Sequence, residues 1–350
     1  MTRGGALLLT ALLAFPLFSG CFGGIASDWA FKMTGLRAVQ EKYDGSGMLI
    51  AIIDTGINLD HPSMDHLKGR VIWRDEVNNK PDPYDDVGHG THVAGIIAGD
   101  GASFGGKAQG FNLKGGAPKA DLIVVKAIGS NEKGDTTDVV SGIRFAISNK
   151  ADVICLSLGS HPTLSFLPSE MQGPVDDAVN QGIMVVASAG NYRQGEERPN
   201  DVSVPARLEM VVAVGAVDQG GAVAEFSVRG DPGANNGVGP VGLGARRDPN
   251  KKPEVVAPGV DIRSAFTGDD FARADGTSQA APFVCSAFAL LMQKCTKLRA
   301  ANTRDTVASV KQALMQTTEP VKGQSTPHDN GAGYGLLKAD KLLAKFGETC

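Results

Sequence analysis

The sequence predicts an α/β fold, a single domain with a doubly wound, mainly parallel sheet and helices on both of its faces. Continuous apolar runs such as residues 48–53 have the length and composition of strands that are buried on both sides. These runs alternate with segments of helical periodicity, which implies βαβ units with right-handed crossovers. The chain has 350 residues, 42% of them hydrophobic, enough for one large core or for two smaller ones.

Residues 1–21 differ in composition from the rest of the chain. A basic start with Arg3 is followed by a mainly apolar run over residues 6–18. This run is too short to span a bilayer and has the length of a signal-peptide core. We therefore predict a signal peptide and a mature protein that lies outside the cytoplasm.

The end of that segment, Leu17-Phe-Ser-Gly-Cys21, resembles a prokaryotic lipoprotein signal, in which a cysteine after small residues becomes the lipidated N-terminus. The resemblance implies lipidation of Cys21 and attachment to the cell membrane through a lipid anchor. Phe18 departs from the aliphatic residue that is usual in such signals. Plain secretion, with cleavage near Ala26, is the alternative.

The other cysteines fall into two groups. Cys155 lies in an apolar run and Cys285 on a predicted helix, so both are interpreted as small buried hydrophobic residues. If Cys21 is lipidated, Cys295 and Cys350 are left as a candidate disulfide in an oxidising compartment. The sequence alone does not establish that pairing.

The remaining elements follow in order. Residues 22–47 are interpreted as an N-terminal lead-in. Strands are predicted at about 48–53, 122–125, 152–158, 183–187 and 210–214, and helices at about 136–148, 174–180 and 305–316. A Gly/Pro-rich stretch is interpreted as a surface insertion with a basic patch, at residues 229–253 with Arg246, Arg247, Lys251 and Lys252.

Two polar residues stand at the ends of predicted elements. Asp54 ends the first strand, and functional groups collect at the carboxyl ends of such strands. His89 opens a helix and is followed three residues later by His92. A metal-binding pair is the alternative, but there is no Glu between them as in His-Glu-x-x-His and no further Cys/His cluster nearby. We therefore predict that one histidine is a general base.

A serine also lies at the boundary of a predicted element. Ser278 follows a Gly-Thr turn and precedes an apolar run with helical spacing, residues 283–292. Pro282 is expected in the first turn of this helix, where its missing N–H is tolerated. Ser278 would thus lie at a helix N-terminus, which favours an anion near its hydroxyl. A helix cap without catalytic function is the alternative.

Together the three residues form a recognisable constellation. Acyl transfer by serine needs a hydroxyl, an imidazole that takes its proton and a carboxylate that orients the imidazole. The chain order Asp, His, Ser is that of subtilisin. The segments 51–57, 89–95 and 276–282 closely resemble the three active-site motifs of the subtilisin-like serine proteases, the subtilases. The resemblance covers roughly residues 30–345 and includes Ser157-Leu-Gly159, Ser188-Ala-Gly-Asn191, Pro253-Glu-Val-Val-Ala-Pro258 and Gly333-Tyr-Gly335.

This resemblance implies a serine endopeptidase that works through an acyl-enzyme. It makes Asp54 the orienting carboxylate, His89 the general base and Ser278 the nucleophile. The side-chain amide of Asn191 and the backbone N–H of Ser278 would form the oxyanion hole. The family's histidine at position 92 is not catalytic, so His92 is expected to be structural.

The resemblance also implies how a substrate binds. Ser157, Leu158 and Gly159 match the extended segment that pairs with the substrate backbone, so protein or peptide substrates are expected. The floor of the pocket for the side chain before the cleaved bond is expected near residues 203–205.

The sequence departs from the family pattern at three points. Gln279 stands where the motif usually has Met. Ser63 stands where many relatives have a calcium-binding Asp, so structural calcium has no clear motif and the metal ligands are unknown. Between Cys21 and Asp54 there is no room for the usual propeptide. We expect folding without one or with help from another chain.

Composition limits the partners. The formal net charge of −4 and an isoelectric point of about 5.9 give no indication of nucleic-acid binding. We expect a monomer whose chemistry needs no cofactor.

Two alternative functions belong to other classes of protein. One is a catalytically silent binding module on the same fold, and the other is an aspartic protease suggested by Asp54-Thr-Gly56, which would need a second carboxylate.

Overall fold

The computed structural model describes residues 8–10, 27–103, 112–160, 168–193, 195–231, 246–347 and 350. Cys21 and almost all of the predicted signal segment lie outside the described residues, as does the middle of the predicted insertion, 232–245. In the described part of the chain, no helix combines the length and the apolar character needed to cross a membrane.

The strands in chain order are β1 Leu8–Thr10, β2 Leu49–Asp54, β3 Val71–Asp75, β4 Asp100–Ser103, β5 Asn112–Lys114, β6 Asp121–Lys126, β7 Lys133–Asp135, β8 Val153–Leu156, β9 Met184–Ser188, β10 Val212–Val217, β11 Val255–Pro258, β12 Ile262–Ala265 and β13 Phe271–Ala274. The helices are α1 Asp28–Met33, α2 Leu36–Val39, a 3-10 helix Pro62–Leu67, α3 His89–Ala98, α4 Thr136–Ser148, α5 Pro168–Asn180, α6 Thr277–Lys294, α7 Thr296–Ala301, α8 Arg304–Thr317 and α9 Ala339–Lys345.

Seven of these strands form one sheet in the order β11-β10-β9-β8-β2-β6-β3, and all of its neighbours are parallel. This confirms the predicted α/β class with a mainly parallel sheet. From β2 the chain runs outward to β3, returns to β6 and then crosses to β8 on the other side of β2. The winding therefore reverses at β2, and ligand sites form at such a switch point, beyond the carboxyl ends of the strands.

Apolar side chains on the central strands build the core. Strands β8, β9, β10 and β11 are buried along their whole length, which explains why they appear in the sequence as continuous apolar runs. Helix α6 is buried from Thr277 to Met292 and packs against β8, β9, β10 and β11. The first residues of α6 therefore reach the carboxyl edge of the sheet from inside the core.

Smaller antiparallel pairs complete the fold. They are β1 with β7, β4 with β5, and β12 with β13. The pair β12–β13 ends three residues before α6 begins, so it leads directly to Ser278.

The segment predicted as a lead-in contains α1 and α2 and contributes to the core. Ala30, Phe31 and Leu36 are buried, and the Phe31 ring centroid lies 4.9 Å from that of Phe283 on α6.

Three expectations about local structure are wrong. Helix α5 begins at Pro168, six residues before the predicted start, because its polar first turns carry no apolar periodicity. Pro282 lies inside α6 and not in its first turn. The predicted basic patch is not a surface patch: Arg246 and Lys252 are only 5% and 2% exposed, because Asp201 and Glu254 bind them within the protein.

Candidate active site

The first part of the site lies where β2 ends. Asp54 is 1% exposed, and its Oδ1 lies 2.6 Å from Nδ1 of His89, the first residue of α3. The same oxygen accepts a hydrogen bond from the Thr55 backbone N–H at 2.7 Å. The Thr55 hydroxyl in turn accepts from the Gly90 N–H at 2.8 Å, which holds the first turn of α3 against the end of β2.

This contact determines the protonation of His89. Burial by itself would lower the pKa of the imidazole, but the negative charge of Asp54 and its hydrogen bond outweigh burial, so the pKa of His89 is raised above its ordinary value. Within the described part of the chain, His89 Nε2 and Asp54 Oδ2 are buried and have no hydrogen-bond partner. The imidazole is thus oriented on one side and available to a reactant on the other.

Ser278 is the second residue of α6 and is 5% exposed. Its hydroxyl donates to the Ser157 carbonyl oxygen at 2.9 Å and not to His89. Reaction with His89 as base therefore requires the Ser278 side chain to rotate, as is common for catalytic groups before substrate binds.

The proline inside α6 explains a second contact between the same two residues. Pro282 has no N–H, so the Ser278 carbonyl oxygen lacks its usual partner one turn further along the helix. The Ser157 hydroxyl donates to that oxygen at 3.0 Å. Ser157 and Ser278 thus exchange two hydrogen bonds, which hold the start of α6 against the segment after β8.

Asn191 follows β9, and its side-chain oxygen is bound by Thr277. Its Oδ1 accepts from the Thr277 N–H at 2.9 Å and from the Thr277 hydroxyl at 3.0 Å. A Cβ placed on Gly276 would lie 3.4 Å from Asn191 Nδ2 and 3.6 Å from the Ser278 backbone nitrogen. The two expected oxyanion donors therefore border the same space over Gly276.

The predicted substrate segment lies beside the predicted pocket floor. Gly159 lies so close to Ser203 that an added Cβ would be 2.4 Å from the Ser203 hydroxyl oxygen. Ser160 and Val204 form a bridge of backbone hydrogen bonds at 3.1 and 2.9 Å. Ser203 is fully buried, and its hydroxyl donates to the Ser188 carbonyl at 3.1 Å.

His92 contacts backbone carbonyl groups of the β12–β13 pair. It is fully buried, and its Nε2 lies 3.1 Å from the Ile262 carbonyl oxygen and 3.2 Å from that of Ala272. Burial lowers the pKa of His92 to about 3, so the ring is neutral and donates to these carbonyls. His92 links α3 to the β12–β13 pair.

The sequence analysis missed Lys126. It is the residue of β6 that pairs with Asp54 in register, and it is fully buried. Its Nζ donates to the carbonyl oxygens of Thr55 and Ile128 at 2.6 and 3.0 Å and to Asp86 Oδ1 at 2.6 Å. Lys126 thereby ties the end of β2 to the loop that leads into His89. A lysine directly after the apolar run 122–125 was the available signal.

A disulfide joins Cys295 to Cys350, while Cys155 and Cys285 are buried thiols. No group of three or more His, Cys, Asp or Glu side chains suited to a metal ion occurs among the described residues.

The arrangement is that of a serine hydrolase on a doubly wound sheet. It consists of the buried Asp54–His89 pair, Ser278 at the start of the buried helix α6, and the Asn191 amide next to Gly276. Residues 45–335 match the model of the subtilase family, peptidase S8. The chain belongs to this family and is a serine-type endopeptidase.

Individual relatives agree with that assignment. The chain is 33% identical over 307 residues to the major intracellular serine protease of Bacillus subtilis (strain 168), a match that covers 86% of this chain and 85% of the relative. It is 32% identical over 324 residues to an intracellular serine protease of Paenibacillus polymyxa, covering 91% and 87%. It is 36% identical over 271 residues to subtilisin E of Bacillus subtilis (strain 168), covering 77% and 62%.

Proposed function

We propose that the protein hydrolyses peptide bonds outside the cytoplasm through Asp54, His89 and Ser278. The observation that carries this proposal is the 2.6 Å contact between Asp54 Oδ1 and His89 Nδ1. This contact orients the ring so that its buried Nε2 can take the Ser278 proton. Asp54 stabilises the imidazolium that forms.

In the proposed reaction the Ser278 oxygen attacks the carbonyl carbon of the scissile bond while His89 Nε2 takes the hydroxyl proton. The tetrahedral intermediate collapses when His89 returns this proton to the leaving amine, which departs and leaves an acyl-enzyme. Water then attacks the ester while His89 takes one of its protons. The bond between the acyl carbon and the Ser278 oxygen breaks, His89 returns the proton to that oxygen, and the second product leaves with its new carboxyl group.

Asn191 Nδ2 and the Ser278 backbone N–H are proposed to donate to the oxyanion of each tetrahedral intermediate. Thr277 supports this role because it holds Asn191 Oδ1, the acceptor end of the amide. The donors are thereby oriented before charge develops, which is what makes such sites effective. No cofactor is needed for any of these steps.

A peptide substrate is proposed to bind as an extended strand along Ser157, Leu158 and Gly159. Recognition of this kind relies on backbone hydrogen bonds and tolerates many side chains. Ser203 lies beside Gly159, and we propose that it forms part of the floor of the pocket for the residue before the cleaved bond.

The proposed location rests on two features. The Cys295–Cys350 disulfide is typical of an oxidising compartment, and residues 6–18 have the character of a signal-peptide core. Two of the relatives are named intracellular serine proteases, so the location is tested separately from the chemistry. We propose a monomer that is either secreted or anchored through a lipid on Cys21. Fractionation of cells that make the wild type or Cys21→Ser separates these cases: loss of membrane association in the variant supports the anchor, and cytoplasmic retention of the wild type refutes export.

The mechanism is tested by digestion of a mixed peptide library, read by mass spectrometry, with wild type and Ser278→Ala side by side. Loss of a triad member is expected to reduce turnover by about 10⁶-fold. Cleavage sites present only in the wild type would support the proposal and identify the preferred side chain before the cleaved bond. Equal cleavage by both proteins would refute Ser278 as the nucleophile.

A further inference from the structure

Gln279 directly follows the proposed nucleophile and is a point at which this chain departs from the usual motif. It lies in the first turn of α6, and its backbone N–H donates to the Gly276 carbonyl at 3.1 Å. Its side chain is fully buried. Within the described residues, neither Oε1 nor Nε2 of this side chain has a hydrogen-bond partner.

A buried amide in this state destabilises the folded protein, because both of its polar atoms have lost water without gaining a partner. An apolar side chain of similar length, such as methionine, would fill the same space without this penalty. A partner that arrives with the substrate would remove this penalty.

The position of the amide indicates which substrate atom that partner is. The space over the Gly276 Cα is bordered by three polar groups. Measured from the place a Cβ would occupy on Gly276, Gln279 Oε1 lies at 2.6 Å, Asn191 Nδ2 at 3.4 Å and the Ser278 nitrogen at 3.6 Å. The last two are the proposed oxyanion donors, so the Gln279 amide lies next to the groups that would bind the negatively charged substrate oxygen.

Rotation about the last torsion of Gln279 exchanges its oxygen and nitrogen without moving the rest of the side chain. A negatively charged oxygen in this space favours the orientation in which Nε2 faces it, because hydrogen bonds to ionised acceptors are the stronger ones.

We propose that Gln279 is a catalytic residue whose side-chain Nε2–H is a third donor to the oxyanion, beside Asn191 Nδ2 and the Ser278 N–H. This inference rests on the proposed serine-peptidase mechanism. Since the donor is engaged only when charge develops, it stabilises the transition state and leaves substrate binding nearly unchanged.

The test compares the purified enzyme with Gln279→Met, which keeps the length of the side chain but has no donor. With a chromogenic peptide amide as substrate, kcat is expected to fall about 10-fold at unchanged KM, the effect of one hydrogen bond to a charged group. Tm is expected to rise by about 2–4 °C, because an unpartnered buried amide has been removed. A purely structural residue would not combine a lower kcat with a higher Tm.

Two further measurements sharpen the test. Gln279→Glu keeps the shape but places a carboxylate beside the oxyanion, so its kcat should fall further than that of Gln279→Met. A peptidyl boronic acid forms a tetrahedral, negatively charged adduct with the serine, and its affinity should fall about 10-fold in Gln279→Met. Affinity for a product peptide should stay the same in both proteins.

A Gln279→Met enzyme whose kcat equals or exceeds that of the wild type, or whose KM alone changes, would overturn the inference. In that case the wild type remains active and the proposed mechanism stands. If the wild type is no more active than Ser278→Ala, the proposed function itself fails.

Discussion

Two regions of the molecule bury charged or polar side chains and differ in how completely these side chains are partnered. In the ionic cluster of Lys252, Glu254 and Lys311, Glu254 Oε1 accepts from the two ammonium groups at 2.8 and 2.7 Å, and Oε2 accepts from the Ala213 N–H at 2.8 Å. Each ammonium group also donates to a backbone carbonyl, those of Val211 and of Glu209.

The catalytic edge of the sheet, by which we mean the region of Asp54, His89 and Gln279, is less completely partnered. Buried polar atoms of Asp54, His89 and Gln279 have no hydrogen-bond partner among the residues the structure describes. Burial of a charged or polar group costs free energy, which hydrogen-bonding or ionic partners must offset. In the ionic cluster the protein supplies those partners, which is typical of a structural role. At the catalytic edge they are missing where a substrate would bind.

The comparison of the two regions predicts that substitutions in the ionic cluster lower the stability of the folded protein. Glu254→Gln keeps the shape but removes the counter-charge of the buried Lys252 and Lys311, so at pH 6, below the pKa of Lys252, the free energy of unfolding should fall by about 3–5 kcal/mol. Denaturant unfolding measures this, and kcat/KM per folded molecule should change little. The control is Glu319→Gln, since Glu319 pairs with Lys341 at the surface and should contribute less than about 1 kcal/mol. Equal effects of the two substitutions would contradict the comparison.

Substitutions at the catalytic edge should instead lower the rate of peptide hydrolysis. Asn191→Ala is expected to lower kcat by about 10²–10³ with little change in KM, because the amide acts on the transition state. Asn191→Asp is the matched control: it keeps the oxygen that Thr277 binds but removes the N–H, so it should lose as much activity as Asn191→Ala. Steady-state kinetics decide, and a change confined to KM would argue against an oxyanion role.

The ionic cluster should also make stability depend on pH. Burial lowers the pKa of Lys252 to about 7 from an ordinary value of 10.5. Between these pH values the unfolded chain holds a proton that the folded protein has released, so stability rises with pH, by at most about 1.4 kcal/mol per pH unit. Unfolding measured from pH 7 to 10 should show a smaller slope in Lys252→Met and the wild-type slope in Lys251→Met, which changes a half-exposed neighbour. An unchanged slope in Lys252→Met would refute the assignment.

The smallest expected effect concerns the link between Lys126 and the Asp54–His89 pair. Activity should rise through a kinetic pKa above the ordinary value of histidine, since Asp54, and more weakly Asp85 and Glu132, stabilise the imidazolium. Lys126 pairs in register with Asp54, and removing its positive charge in Lys126→Met should raise that pKa by up to about one unit.

The matched variant is Asp86→Asn, which removes the anion that Lys126 binds and should shift the kinetic pKa downward. Profiles of kcat/KM against pH report both shifts. Shifts in the same direction, or a lower Tm with no shift, would mean that Lys126 acts only through the fold.

How well the sequence predicted each strand depended on whether the strand is buried on both faces. Strands buried on both faces appear as apolar runs, so β2, β6 and β9 were located to within a residue or two. Strand β3 was missed because it lies at the edge of the sheet, and its exposed and partly buried residues alternate. Asp54, His89 and Ser278 could be proposed from the sequence because each lies at the end or the start of a regular element within a specific motif.

The sequence by itself determined the α/β class, the chain order of Asp54, His89 and Ser278, and the departure at Gln279, because apolar periodicity and short motifs are local properties. Only the tertiary structure decided that Lys126 joins the end of β2 to the loop before His89, that Lys252 is buried and that the Gln279 and Asn191 amides both lie next to Gly276. These contacts join residues far apart in the chain. Whether a polar atom there is partnered depends on which strands and helices meet, and no local pattern records that.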